Sequence, residues 1–233
     1  MNFEKLMKHI VPFFIGRNGL ARYETKSQGR RGLCLIINNK NFLNANAIRT
    51  GCEYDEEELK KLFEDLNFTV TVKNDLEWDE MKKVARQFAE EDHNEFDAFV
   101  FIIMSHGGEM DLIQGIAGGT ISIGNLMLEF TSTRCPTLKD KPKLFIIQSC
   151  RGVREEAGIR GIDSNMSLDS TLSKGVCPKE ADFLLAFSTP PGYSAIRRDS
   201  GSPFIQVCSI GRSGYSLFCG GISLTFGGKH KRR

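Results

Sequence analysis

The chain has 233 residues, 40% of them hydrophobic, which is enough to bury one sizeable core at the upper size of a single α/β domain. Lys and Arg number 31 against 29 Asp and Glu, and a formal charge of +2 gives no global pull toward nucleic acid or an anionic membrane. Seven cysteines, an odd count without a Cys-x-x-Cys pair, argue against a disulfide framework or zinc ribbon and fit a reducing cytoplasm. Secretion and membrane insertion are not expected. The apolar stretch 10–15 contains Pro12 and is shorter than a signal-peptide h-region, and no run nears the roughly 18 apolar residues of a membrane span.

In chain order, residues 33–38 (LCLIIN) read as a short, fully buried strand ending in the turn-forming run 38–41. Leu59, Leu62, Phe63 and Leu66 recur at helical spacing, and residues 68–72 (FTVTV) follow as a strand. Met81, Val84, Ala85 and Phe88 repeat the helical pattern, which assigns Met81 and Phe88 to the core. Residues 96–104 (FDAFVFIIM) form a second continuously apolar strand, and residues 143–148 (KLFIIQ) and 182–187 (DFLLAF) extend the series. Alternation of this kind predicts an α/β fold: a mostly parallel sheet with helices on both faces and its chemistry at the carboxyl ends of the strands. Residues 38–42 (NNKNF) lack the glycines that close on a pyrophosphate, so a nucleotide-binding reading is weak. Residues 153–177, rich in Gly, Ser and Asp, read as an exposed linker.

Two strand ends carry reactive side chains. His106 follows one apolar strand and Cys150 another, on the rim where an α/β protein builds its sites. A thiolate is the reactive form of cysteine, and an adjacent imidazole can stabilise it or manage the proton that a leaving amine needs. Taken singly, the cysteine reads as a small core hydrophobe and the histidine as a surface residue. Glu155, Glu156, Asp163 and Asp169 lie in the polar linker with no apolar wall to raise a pKa, and solvated loop charge is the better reading of them.

The local motifs change that weighting. Gln148-Ser149-Cys150-Arg151-Gly152 resembles the caspase signature Gln-Ala-Cys-Arg-Gly, with Ser149 in place of alanine. The histidine stands 44 residues upstream in Ser105-His106-Gly107-Gly108, near the separation of about 50 residues in that family. The likeness extends to residues 31–42 (RGLCLIINNKNF), Arg49-Thr50-Gly51, Glu180-Ala181-Asp182-Phe183 and residues 188–193 (STPPGY), and spans about residues 23–206. It implies a caspase-like three-layer sandwich. The chain then divides into a lead-in (1–30), a large-subunit-like region (31–152), an inter-subunit linker (153–177), the start of a small-subunit-like region (178–206) and a divergent tail (207–233).

The resemblance further implies an aspartate-specific cysteine endopeptidase, executioner-like and made as a zymogen, acting in apoptosis or a related cell-death pathway. Cys150 would be the nucleophile and His106 the proton carrier, and the N–H groups of Gly107 and Cys150 would form the oxyanion hole. Such donors supply roughly 3 kcal/mol each. The carbonyl of Ala47 would orient the histidine. Arg49, Gln148 and Arg197 would line the pocket for the substrate aspartate (P1), with Arg198 a competing candidate for the last place; alone, each arginine reads as surface charge. Autoprocessing would fall at Asp163, favoured by its distance from Cys150, or at Asp169. No metal or organic cofactor is implied. The expected partners are proteins with a P1 aspartate, upstream caspases and inhibitor-of-apoptosis-type proteins, in the cytoplasm.

The departures from the family collect in residues 207–233. This glycine-rich segment with a basic end is expected to be too short for the usual helices and the last strand, which makes a homodimer doubtful and leaves that strand missing. The first 30 residues are too few for an adaptor domain. A rival reading is therefore a truncated, non-catalytic regulator that binds full-length caspases or their inhibitors.

Overall fold

The computed structural model describes residues 29–44, 47–154, 182–210 and 223–227. Five parallel strands, β1 (Gly32–Asn38), β2 (Phe68–Asn74), β3 (Ala98–Met104), β7 (Lys143–Gln148) and β8 (Phe183–Phe187), are ordered β2-β1-β3-β7-β8. β1, β3, β7 and β8 are apolar on both faces because both faces are covered, the usual reason why parallel strands read as continuous hydrophobic runs. Alternate residues serve the two sides. Leu35, Ile37, Phe99, Phe101, Ile103, Phe145, Ile147, Phe183 and Phe187 enter one core, while Cys34, Ile36, Val100, Ile102, Leu144, Ile146 and Leu184 enter the other.

Helix α1 (Cys52–Asp65) covers the second core with Leu59, Leu62 and Phe63. Helix α2 (Trp78–Glu90) covers the first with Met81, Ala85 and Ala89, and Phe88 packs partly buried beside them. Glu77 and Glu80 close a capping box at the start of α2, satisfying backbone N–H groups that the helix itself leaves free. A small antiparallel sheet, β4 (Gly107–Gly108), β5 (Leu112–Gln114) and β6 (Thr120–Ser122), follows β3 and leads to the short helix α3 (Ile123–Met127). Helix α4 (Pro203–Ile210) lies against α1 and adds Phe204 and Ile205 to the second core.

The expected loss of the last strand is corrected. Strand β9 (Ser223–Gly227) pairs antiparallel with β8, from Phe183↔Gly227 to Phe187↔Ser223, and completes a six-stranded sheet. Five residues suffice to satisfy the backbone groups along that edge of β8, and Leu224, Thr225 and Phe226 are residue types that suit a strand. The glycines flank the strand or end it: Gly220 and Gly221 precede it and Gly227 is its last residue.

Candidate active site

The register of the sheet sets the site. Met104 of β3 lies opposite Gln148 of β7, and His106 and Cys150 each stand two residues further on. Parallel pairing therefore delivers both to the same rim, and Ser105 N–H donating to the Gln148 carbonyl at 3.2 Å holds the two strand ends together. The β4–β5 hairpin then closes over the nucleophile loop. A Cβ on Gly107 would come within 2.6 Å of the Cys150 carbonyl oxygen and 2.9 Å of Ser149 Cβ, so only glycine allows this approach. Gly152 is under the same constraint, since a Cβ there would meet Gly192 backbone at 2.3 Å.

His106 is half-buried, with its ring 4.6 Å from that of Phe42, and its Nε2 lies 2.7 Å from the Ala47 carbonyl oxygen. A carbonyl oxygen accepts only, so Nε2 carries the hydrogen and Nδ1 keeps the lone pair. Burial holds the imidazole below the ordinary histidine pKa; the bond to Ala47 opposes this, and the cations of Arg49 and Arg197 add to it. The ring is accordingly neutral at neutral pH and able to take a proton. Cys150 is half-buried, and its Sγ accepts a hydrogen bond from Ala195 N–H at 3.4 Å.

Arg49 is 1% exposed. Its Nη1 donates to the Asn39 carbonyl at 2.7 Å and to Asn38 Oδ1 at 3.4 Å, while Nε and Nη2 have no partner among the described residues. Burial and then the neighbouring Arg197 lower its pKa to about 10. Gln148 is also buried, with Nε2 donating to the Ile196 carbonyl at 3.5 Å and Oε1 unpartnered among the described residues. Arg197 is half-buried, and its Nε donates to the Thr50 carbonyl at 2.9 Å. Arg198 is exposed, and its N–H is used in a turn with Gly201. The electrostatic reach of Arg197 to both Arg49 and His106 separates it from Arg198.

The rim thus gathers His106, Gly107, Cys150, Arg49, Gln148 and Arg197. Asp163 and Asp169 lie outside the described residues, as do Glu155 and Glu156. Sequence reasoning missed the ring of Phe42 against the imidazole, the Ala195 N–H on the thiol, and a 2.7 Å ion pair between Arg151 and Asp111. Phe42 had a signal, an apolar residue closing a polar turn. The other two depend on a backbone group and on a pairing 40 residues apart, which no local pattern encodes.

These features define an α/β protein whose thiol, imidazole and buried cations share one end of a mostly parallel sheet. Residues 31–210 match the family model described as Caspase domain. Caspase-3 of Bos taurus is 42% identical over 179 residues, 76% of this chain and 63% of the relative. Caspase-3 of Mus musculus is 39% identical over 183 residues, 77% of this chain and 64% of the relative. The crystal structure of Caspase-1 from Spodoptera frugiperda superposes with a TM-score of 0.69 at 35% identity, covering 80% of this chain and 71% of that one. The chain belongs to the caspase family. Its match spans less than two thirds of the length of these curated relatives.

Proposed function

We propose that the chain is a cysteine endopeptidase that hydrolyses peptide bonds after aspartate through a covalent acyl-enzyme. The observation that carries this reading is the unmet hydrogen-bonding capacity of Arg49: a guanidinium 1% exposed with two nitrogens unpartnered among the described residues. A buried cation with free donors is costly unless an anion completes it, and a short carboxylate is the anion that fits two guanidinium groups and an amide. Arg49, Arg197 and Gln148 receive the P1 aspartate in this account, and a neutral P1 side chain leaves the cations unpaired.

The Cys150 thiol first gives its proton to His106 Nδ1. The thiolate attacks the carbonyl carbon, a C–S bond forms, and the carbonyl electron pair moves to oxygen, where the N–H groups of Gly107 and Cys150 hold it. Collapse breaks the C–N bond as His106 protonates the leaving amine, and a thioester remains. Water then gives a proton to His106 and attacks the thioester, the C–S bond breaks, His106 returns that proton to the Cys150 sulfur, and the product acid leaves as its carboxylate with its proton passing to solvent. In the same reading the chain is a zymogen of apoptosis or a related cell-death pathway in the cytoplasm, matured at Asp163 or Asp169 by upstream caspases and held by inhibitor-of-apoptosis-type proteins. Among the described residues no helix is long and apolar enough to cross a membrane.

Cys150→Ala and His106→Ala should each abolish release from an aspartyl peptide, because the two groups act as a unit, with the circular dichroism spectrum unchanged. Turnover retained by folded Cys150→Ala would show that the nucleophile lies elsewhere.

A further inference from the structure

The two loops bearing the proposed chemistry are joined by an ion pair that touches neither reacting group. Arg151 follows Cys150 directly, and its side chain is 7% exposed. Its Nε donates to Asp111 Oδ1 at 2.7 Å, its Nη1 reaches the Thr189 carbonyl at 3.4 Å, and its guanidinium lies 3.9 Å from the centre of the Phe187 ring. Asp111 stands in the turn of the β4–β5 hairpin. On one side of that turn are Gly107 and Gly108, paired with Ile113 and Leu112, and Gln114 N–H donates to the His106 carbonyl at 2.9 Å. A contact that fixes Asp111 therefore bears on the backbone of His106 and Gly107.

The turn is built to make this contact. Met110 and Asp111 both adopt left-handed backbone, at φ 58° and 56°, a conformation unfavourable for residues with a Cβ and best tolerated by Asp and Asn. Met110 is 77% exposed, so burial of its own side chain does not explain the bend. The base of the hairpin is held by Gly107 against the nucleophile loop, by Ser105 Oγ donating to the Gln114 carbonyl at 2.7 Å and by β6 paired with β5. The Asp111–Arg151 pair adds a contact at its turn. Arg151 has Phe187 and Thr189 to hold it besides Asp111, so removal of the carboxylate should free the hairpin turn rather than Arg151.

We propose that Asp111 is a positioning residue that acts through Arg151 to set His106 and the Gly107 N–H against Cys150; this rests on the endopeptidase reading above. Asp111→Gly removes the carboxylate while allowing the left-handed backbone, and Asp111→Asn keeps an acceptor oxygen and the same shape without the charge. The measurements are steady-state kinetics on an aspartyl peptide, alkylation of Cys150 by iodoacetamide, and backbone hydrogen exchange followed by peptide mass. Misplacement by about 1 Å can cost about 10²-fold in rate. In Asp111→Gly we therefore expect kcat to fall about 10- to 100-fold with KM within about threefold, and Asp111→Asn to recover part of the loss. Iodoacetamide needs no oxyanion donor but does need the thiolate that His106 draws out, so alkylation should slow in Asp111→Gly by less than kcat falls and recover in part in Asp111→Asn. Exchange should quicken in residues 105–113 and stay unchanged in β3 and β7.

A rise in KM with kcat unchanged, or faster exchange spread over β3 and β7, would overturn the proposal, since either makes Asp111 a binding or general structural residue. Unchanged kinetics with unchanged exchange would overturn it as well. If the parent chain does not turn over the aspartyl peptide, the endopeptidase reading fails on that arm. The exchange arm then decides on Asp111 alone: local quickening supports positioning and its absence refutes it.

Discussion

At the scale of single residues, the site is organised by groups that sequence identity describes poorly. Arg49 is held by the backbone carbonyl of Asn39, and His106 by that of Ala47. A carbonyl is common to every residue, so neither partner has a side-chain signal, and Arg49 alone reads as solvated charge. In the proposed function burial would give Arg49 its selectivity, because a desolvated guanidinium binds a carboxylate far better than a neutral amide. Arg49→Ala should therefore lower kcat/KM much more for a P1 Asp peptide than for the P1 Asn analogue, narrowing their ratio by at least about tenfold. Equal losses on the two peptides would assign Arg49 to the fold. The placement of Cys150 and His106 on one rim was legible because each follows a continuously apolar strand inside a short motif, whereas the pairing of Asp111 with Arg151 was not, since it depends on how a hairpin folds back over the next strand.

Among the elements, the parallel strands were the most legible. β1, β3, β7 and β8 are uninterrupted apolar runs bounded by polar turns, and the structure shifts their ends by at most two residues from the sequence reading. The β4–β5–β6 sheet was invisible because strands of two or three residues carry no period. β9 was misjudged for a related reason: glycine content argues against a helix, but a five-residue edge strand needs only a partner with free backbone groups, and β8 provides it. Among side chains, the first core turns on one aromatic cluster. Phe130 stacks on Phe99 with centroids 4.4 Å apart and meets Phe101 and Phe145 at 5.7 and 5.9 Å, joining the segment after α3 to β3 and β7. Phe130→Ala should cost about 3–5 kcal/mol in urea denaturation. A loss under about 1 kcal/mol would mean that the cluster repacks without it.

For the molecule as a whole, stability should depend on pH through its buried imidazoles. His93 is fully buried at the end of α2, where its Nε2 donates to the Phe88 carbonyl at 2.8 Å, and burial holds it below the ordinary histidine pKa. The bond to Phe88 and the charges of Glu91 and Asp92 oppose that shift, and Lys141 adds to it. His106 is shifted in the same direction. The unfolded chain therefore binds protons first as pH falls below about 6.5, and the folded state loses stability from there down through the depressed folded values. The thermal midpoint should fall between pH 7.5 and 5.5, and His93→Gln, which keeps a donor and does not titrate, should flatten that slope. An unchanged slope would remove His93 from the account.

The central claim is that a thiol at one strand end is aimed at the residue bound by Arg49 and Arg197, and covalent labelling tests it most directly. The chain is incubated with an aspartyl fluoromethylketone and, separately, with its asparaginyl analogue, and the adduct is located by peptide mass. We predict stoichiometric labelling of Cys150, faster with the aspartyl reagent by at least about 10²-fold. Equal rates with the two reagents, or no adduct on a Cys150 that iodoacetamide still alkylates, would contradict it.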